Sequence, residues 1–313
     1  MATLEHYAAR PIGGVRRLGL LLDRPEWLGP LMIGPAVLFI VLVVGTPFVL
    51  ALLYSVSDIS MGRRTLNFVG LRNFIAVAGT ANFQTSIWNT FVFAIISQLL
   101  VIVLGTTLAL ALLKSFRGKW FIRFLLLLPW VAPISLGTIG WLWIYDSTYS
   151  VLNWTLEALG FITPQEWYMW LGIPHLAMGS VIAVHVWRIL PLATVILLAG
   201  LSSIPQDIHD AARVDGAGFW RHLFQITLPL VRPIIMVAGL FGLVFAFTDM
   251  IVIFVRTRGG PYDTTQVLAS LAFFTGIQGG DLAEGAAIAL FLFPMLLAVA
   301  VAFLRVARRA EVS

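Results

Sequence analysis

Six apolar runs, at residues 31–54, 87–113, 121–145, 175–201, 228–255 and 283–304, leave this chain few folds to adopt. Each is close to the ~20 residues that a helix needs to cross the hydrocarbon of a bilayer. In that solvent every peptide N–H and C=O must be satisfied within the protein, so runs of this length are expected to be helices. Composition agrees: 59% of residues are hydrophobic, 11% are charged and the mean hydropathy is +0.94. A soluble chain of 313 residues could not bury so much apolar surface. The expected fold class is therefore an all-α polytopic membrane protein with six transmembrane helices. Pro35, Pro47, Pro129, Pro133, Pro191 and Pro294 fall in or near the runs. Membrane helices tolerate them because neighbouring groups re-satisfy the freed carbonyls. A seventh run, 267–277, is too short to span and is expected as a half-buried helix on the outer side.

Charge decides the orientation. Lys114, Arg117, Lys119 and Arg123 crowd the link between the second and third runs with no acidic residue among them, and Arg305, Arg308 and Arg309 follow the sixth. The link at 146–174 has Asp146, Glu157 and Glu166 but no Lys or Arg. Basic loops stay cytoplasmic, so both termini and the segment 203–229 are placed inside. Arg63, Arg64 and Arg72 then lie outside, as a minority against the bias. The formal charge of +5 is spread over short links, so it serves topology rather than nucleic acid. The chain has no cysteine, which removes disulfides and thiolate metal sites. Residues 1–30, with Arg10, Arg16, Arg17 and Arg24, read as a cytoplasmic basic tail, with a short surface helix ending near Trp27 as the alternative. No removable signal peptide is expected there. The remaining divisions are 31–84, the first helix with its outer loop; 85–308, five helices with the loop 203–229; and a tail at 309–313.

The polar segment 203–229 is the richest in chemistry. Ser203 with Gln206 three residues on fits a capping box, with Pro205 at a first-turn position. Ile208, Ala211, Ala212 and Asp215 share one helical face at i, i+3, i+4 and i+7. Gly216 supplies a left-handed stop. Asp207, Asp210, His209, Arg213, Arg221 and His222 bring charge to a chain that has little, and Phe219 and Trp220 form an aromatic pair. From pattern alone, a connector helix lying on the bilayer surface is the favoured account.

The spacing carries a resemblance. Asp210-Ala211-Ala212, three residues, Gly216, then nine residues to Ile226-x-Leu228-Pro229 resembles the signature loop of binding-protein-dependent ABC importer permease subunits. That family has Glu-Ala-Ala, so Asp210 is a departure that keeps the charge on a shorter arm. Phe68-Val69-Gly70-Leu71-x-Asn73-Phe74, Trp143-Ile144-Tyr145-Asp146 with Leu152-Asn153, Leu198-Ala199-Gly200-Leu201, and Thr257-x-Gly259-Gly260-Pro261 with Thr265-Gln266 resemble further segments of its carbohydrate-uptake branch, of the maltose and glycerol-phosphate type. The large outer insert of the maltose subunit is missing. The resemblance implies a type I ABC importer permease fold. It also implies a coupling helix seated on an ATP-hydrolysing partner, with Asp207, Asp210, Ala211, Ala212, Asp215, Gly216, Ala217, Phe219 and Trp220 in the coupling surface.

Polar residues within apolar runs are costly and so are candidates for function. Asn89 and Gln98 lie in the second run, His185 and Arg188 in the fourth and Asp249 in the fifth. Arg188 and Asp249 are either an ion pair between spans or part of a solute path. His185 is either a core histidine or a solute contact. Trp141, Tyr145, Trp187 and Phe247 would supply aromatic faces to a sugar, while Trp167, Tyr168 and Trp170 suit an interfacial belt.

No G-x-x-x-x-G-K-[ST] phosphate loop occurs, and neither HExxH nor G-x-S-x-G is present. No cofactor or metal is expected in this chain. By resemblance, ATP and Mg would sit on two ATP-binding cassette subunits. A second homologous permease subunit and a periplasmic or lipid-anchored solute-binding protein would complete the assembly in a bacterial inner membrane. The alternative from another class is an ion-coupled secondary transporter using His185, Arg188 and Asp249.

Overall fold

The computed structural model describes residues 25–311 apart from residue 64, with side chains over 28–305. The expected tail with Arg10, Arg16, Arg17 and Arg24 lies outside the described residues. The chain divides into two units, Met1–Leu53 and Tyr54–Ser313. This division falls inside the 31–84 segment, which hydropathy treats as one.

The first unit is a helical run: α1 (Pro25–Ile40), a π turn at Val41–Gly45 and α2 (Thr46–Ser55), whose last residues pass into the second unit. Pro47 has no N–H to return to the preceding turn, and the wider π winding lies beside it. Residues 28–55 form one candidate span.

The second unit contains α3 (Arg72–Ala78), α4 (Ala81–Leu113), α5 (Lys119–Val131), α6 (Ile134–Ile144), α7 (Val151–Ala158), α8 (Pro174–Ser202), α9 (Gln206–Val214), α10 (Phe219–His222), α11 (Arg232–Phe247), α12 (Ile251–Arg256), α13 (Leu268–Phe273) and α14 (Leu282–Glu311). The described residues contain two isolated bridges and no strand. Among them, four helices are long and apolar enough to cross a membrane, or six spans if two bent pairs each count as one.

Two of the six expected spans are bent pairs. The third run is α5 and α6 at 100° to one another. Pro133 forces Ala132 out of the helical region to φ −63°, ψ 141°, as a proline does to the residue before it. The fifth run bends by 69° between Leu230 and Arg232. Here Pro233 lacks the N–H that would close onto Pro229, and its ring crowds that carbonyl. The same run stops again at Thr248–Met250, between α11 and α12. The sixth run continues as helix to Glu311, so Arg305, Arg308 and Arg309 stay helical rather than follow it. The short seventh run is α13 plus a π turn at Phe274–Gln278, with Leu268 and Leu271 buried.

Packing centres on α4 and α8, the most extensive helix interface. Phe93, Val101, Val181, Val184 and Ile189 meet Phe247, Val252, Ile253 and Leu268 in the main core. A smaller core holds Ala109, Leu197, Leu201, Val231 and Ala238, with Ile204 against it. Small residues let membrane helices approach closely. Gly200 shows the need: a Cβ there would lie 2.6 Å from Ile234 Cδ1.

The loop before α3 is tied to the start of α14. Met61 N–H donates to the Gly280 carbonyl at 2.8 Å and Ala283 N–H to that of Ile59 at 3.1 Å. The buried Asn73 carboxamide donates to the Ser55 and Ser57 carbonyls.

Candidate functional site

Two polar regions stand out: the segment 203–229 and a cluster buried between α8 and the break after α11. The first is built by its backbone. α9 starts after Pro205, which is the N-cap itself with no side-chain cap bond. Ser203 belongs to the end of α8 and its hydroxyl donates to the Gly200 carbonyl at 2.8 Å. The capping box expected from Ser203 and Gln206 therefore does not form, because the hydroxyl is already used by the preceding helix. The stop is as expected: Gly216 has φ +71°. Ala217 N–H reaches the Ala212 carbonyl and Gly216 N–H that of Arg213. This closes both strands of a Schellman cap.

The face assigned from spacing splits. Ala212 is buried and Ile208 half-buried, whereas Ala211 and Asp215 are exposed. Asp207 is also exposed and lies in the first turn, while Arg213 is in the last, both matching the helix dipole. Asp210 accepts from Arg213 Nη1 at 3.0 Å and from Gln206 at 3.2 Å, all at the surface. Ala217 is half-buried. Beyond it Val214 (87%), Phe219 (67%), Trp220 (68%) and Phe224 (59%) remain exposed. Trp220 stacks on Phe224 at 5.9 Å. Phe219, Trp220 and Phe224 adjoin one another, and exposed apolar clusters of this kind beside charged residues are characteristic of interaction sites.

Sequence spacing gives no hint of one contact in this segment. His209 Nδ1 and His222 Nε2 are 2.9 Å apart, which ties α9 to α10, and His222 Nδ1 is 3.4 Å from the Thr227 hydroxyl. Thirteen residues separate the two imidazoles, and the turn at Gly216 is what joins them.

The second region is held by charge. Asp249 Oδ2 meets His185 Nδ1 at 2.6 Å and accepts from Arg188 Nη2 at 2.8 Å. Asp249 Oδ1 accepts the Val252 N–H at 3.3 Å and so caps α12. The three residues are 1%, 9% and 5% exposed for His185, Arg188 and Asp249. A charge so deeply buried must be paired, since water is not there to solvate it. The Arg188–Asp249 pair thus forms. Arg188 Nε keeps no protein partner, and the Phe93 ring lies edge-on to His185 at 4.9 Å.

Trp187 leads from this cluster to an aromatic group. Trp141 is 5.6 Å from both Trp187 and Tyr145, and Tyr145 is 5.8 Å from Trp170. Trp170 therefore belongs to this group, not only to an interfacial belt. Arg256 lies over the Tyr145 ring at 4.4 Å and donates to the Ser180 carbonyl at 2.7 Å. Hydropathy ends the fifth apolar run one residue before Arg256, so the sequence alone does not flag it.

The other candidate path residues lie elsewhere. Asn89 donates to the Asp263 and Gln266 carbonyls and secures the loop after α12. Gln98 lies over Gly242, where a Cβ would collide with its carboxamide, and reaches the Ala238 carbonyl at 3.5 Å. Phe247 is core, edge-on to Phe91 at 5.5 Å. On the link 146–174, Asn153 is fully buried and joins Tyr168 to Trp170. Nearby, the Thr163 N–H and then its hydroxyl donate to Glu166 and hold that carboxyl below its ordinary range.

Comparison with known proteins places this architecture. The trehalose/maltose transport system permease protein MalF of Thermococcus litoralis is 35% identical over 77% of this chain and 80% of its own length. The sulfoquinovosyl glycerol transport system permease protein SmoG of Agrobacterium fabrum is 30% identical over 90% of both chains. One chain of the crystal structure of a bacterial alginate ABC transporter, in complex with an alginate pentasaccharide-bound periplasmic protein, superposes with a TM-score of 0.79 at 21% identity. That match covers 94% of this chain and 98% of the other and shows the shared fold. Residues 101–311 match the binding-protein-dependent transport system inner membrane component family, and the chain belongs to that family.

Proposed function

We propose that this permease subunit passes a sugar or related polar solute, delivered by an external solute-binding protein, across the inner membrane by alternating access. The energy comes from ATP hydrolysed with Mg on two cassette subunits that grip the segment 203–229. A second homologous permease subunit completes the path, and both termini face the cytoplasm. The observation that carries this reading is α9, closed by Gly216, presenting Val214, Phe219 and Trp220 to the outside at the family spacing. That surface has the character of a docking knob rather than of a helix laid flat in lipid.

Motion follows from differential binding. If ATP favours the closed cassette dimer, the coupling helices approach and the permease state shifts with them. Reversing a 1:99 population requires a differential of about 5.5 kcal/mol. The relatives' names support the solute class: trehalose and maltose, a sulfoquinovosyl glycerol, and alginate are all carbohydrate-derived. His185, Arg188 and Asp249, with Trp141, Tyr145 and Trp187, are the residues proposed to border the path. An ion-coupled mechanism has no observation in its favour, because the carboxylate it would use is already committed to two nitrogen partners.

Two experiments test this. In vesicles containing the assembled transporter, uptake should require ATP and survive collapse of ion gradients; the opposite result ends the proposal. The chain has no native cysteine, so single cysteines at 207, 214 and 220 give unique crosslinking positions. They should capture a cassette subunit, and capture of lipid alone would reduce the segment to a connector.

A further inference from the structure

Two cavities outside the buried cluster share walls at the end of α4. One, of about 650 Å³, is apolar and lies between Ile102, Val103 and Leu110 of α4 and Phe224, Leu228 and Ile235, with Arg232 its one charged residue. The other, of about 590 Å³, has a polar wall made by Lys114, His209, Arg213, His222 and Thr227. Leu110 and Leu223 line both. Neither wall contains an aspartate or glutamate. Asp210, the carboxylate bonded to Arg213, has a side chain 55% exposed to solvent. The Lys114 and Arg232 side chains have no hydrogen-bonding or ionic partner among the described residues, and both residues are exposed.

We propose that these two adjoining cavities together hold one anionic phospholipid. Its acyl chains occupy the apolar part beside α4, and its phosphate lies with Lys114 and the His209–His222 pair. An amphiphile matches the juxtaposition; a free phosphate would leave the apolar part without purpose. Basic pockets where membrane helices meet the cytoplasm are suited to anionic headgroups. Both volumes fall in the range typical of ligand cavities. Bound there, the lipid bridges the end of α4 to α9 and α10, and so braces the segment that takes the force. The site depends on the proposed orientation only for the leaflet that supplies the lipid, and the test below reads binding without transport.

The assembled transporter is equilibrated with mixed phosphatidylglycerol and phosphatidylcholine, and retained lipid is weighed by native mass spectrometry. Phosphatidylglycerol should be retained in preference. Lys114→Gln should lower that preference about fivefold, the worth of one cation beside an anionic surface. Lys114→Arg should keep it. Equal retention of both lipids, or the same loss in the charge-keeping variant, overturns the proposal. So does displacement of phosphatidylglycerol by an equal concentration of soluble glycerol phosphate, which would reveal a simple phosphate site. Retention that vanishes whenever the cassette subunits are bound would show that protein covers the cavity, and would overturn the proposal equally.

Discussion

Arg213–Asp210 and Arg188–Asp249 are chemically the same ion pair at nearly the same distance, 3.0 and 2.8 Å. Their surroundings differ. In the first, the side chains are 73% and 55% exposed; in the second, 11% and 2%. Water screens the first pair, so it contributes little and leaves its charges available to a partner. The second pair is held where neither charge can be left alone. The α9–α10 segment therefore takes its shape from the backbone, through Pro205 and Gly216. The break at Thr248–Met250 takes its shape from electrostatics, through Asp249. A segment proposed to engage another protein keeps its side chains free. A break inside a membrane helix has to commit them.

The sharpest way to break this contrast is to remove Asp249. Asp249→Ala leaves Arg188 buried without a counter-charge and should cost roughly 3–5 kcal/mol, read as a lower melting temperature of the assembled transporter. Replacing both partners, Arg188→Met with Asp249→Leu, should recover much of that stability while transport stays low. If the double variant melts no higher than Asp249→Ala, the pair is not the source of the cost. Next in size is Gly216→Val. The left-handed backbone at φ +71° costs an L-residue about 1–2 kcal/mol, so α9 should lose its closure. ATP-driven uptake should fall while solute reaches the outer face as before. Unchanged uptake would mean the cap is not needed for coupling.

Asp210→Asn is expected to alter stability by less than about 1 kcal/mol, even though it disrupts the same type of pair as Asp249→Ala. A melting temperature change comparable to that of Asp249→Ala would erase the distinction between the two pairs. The smallest effect belongs to Glu166, exposed and bonded by Thr163. Its folded pKa is lowered, so its contribution is present above the unfolded carboxylate value and is lost as pH falls through the folded one. Glu166→Gln should lower the melting temperature slightly near neutral pH and leave it unchanged below the folded pKa, so the acid limb of the curve flattens.

Much of the architecture is legible in the order of residues. The six apolar runs locate the helices because hydrocarbon admits few alternatives for a backbone. The left-handed glycine at 216 is legible because only glycine adopts that conformation without strain. The bends are not. Prolines 133 and 233 are visible, but whether a membrane proline kinks a helix by a little or by 100° depends on what packs into the gap. The capping box at Ser203 fails for a local reason: one hydroxyl cannot serve two helices, and the end of α8 has the prior claim.

The candidate path divides the same way. That His185, Arg188 and Asp249 merit scrutiny follows from their cost in an apolar run. That Asn89 secures a distant loop, and that Phe247 is core, cannot be read from their neighbours in sequence. Arg256 and the His209–His222 contact escape a reading of the sequence because hydropathy has no information on which residues a turn brings together.

By itself, then, the order of residues settled how many apolar segments there are, where the polar segment lies and which kind of residue each turn demands, because solvent and backbone sterics act locally. Tertiary structure alone decided which charges meet, where the helices break and which of the loop's apolar residues stay uncovered. Those outcomes are set by distances between parts of the chain that only folding brings within a few ångströms.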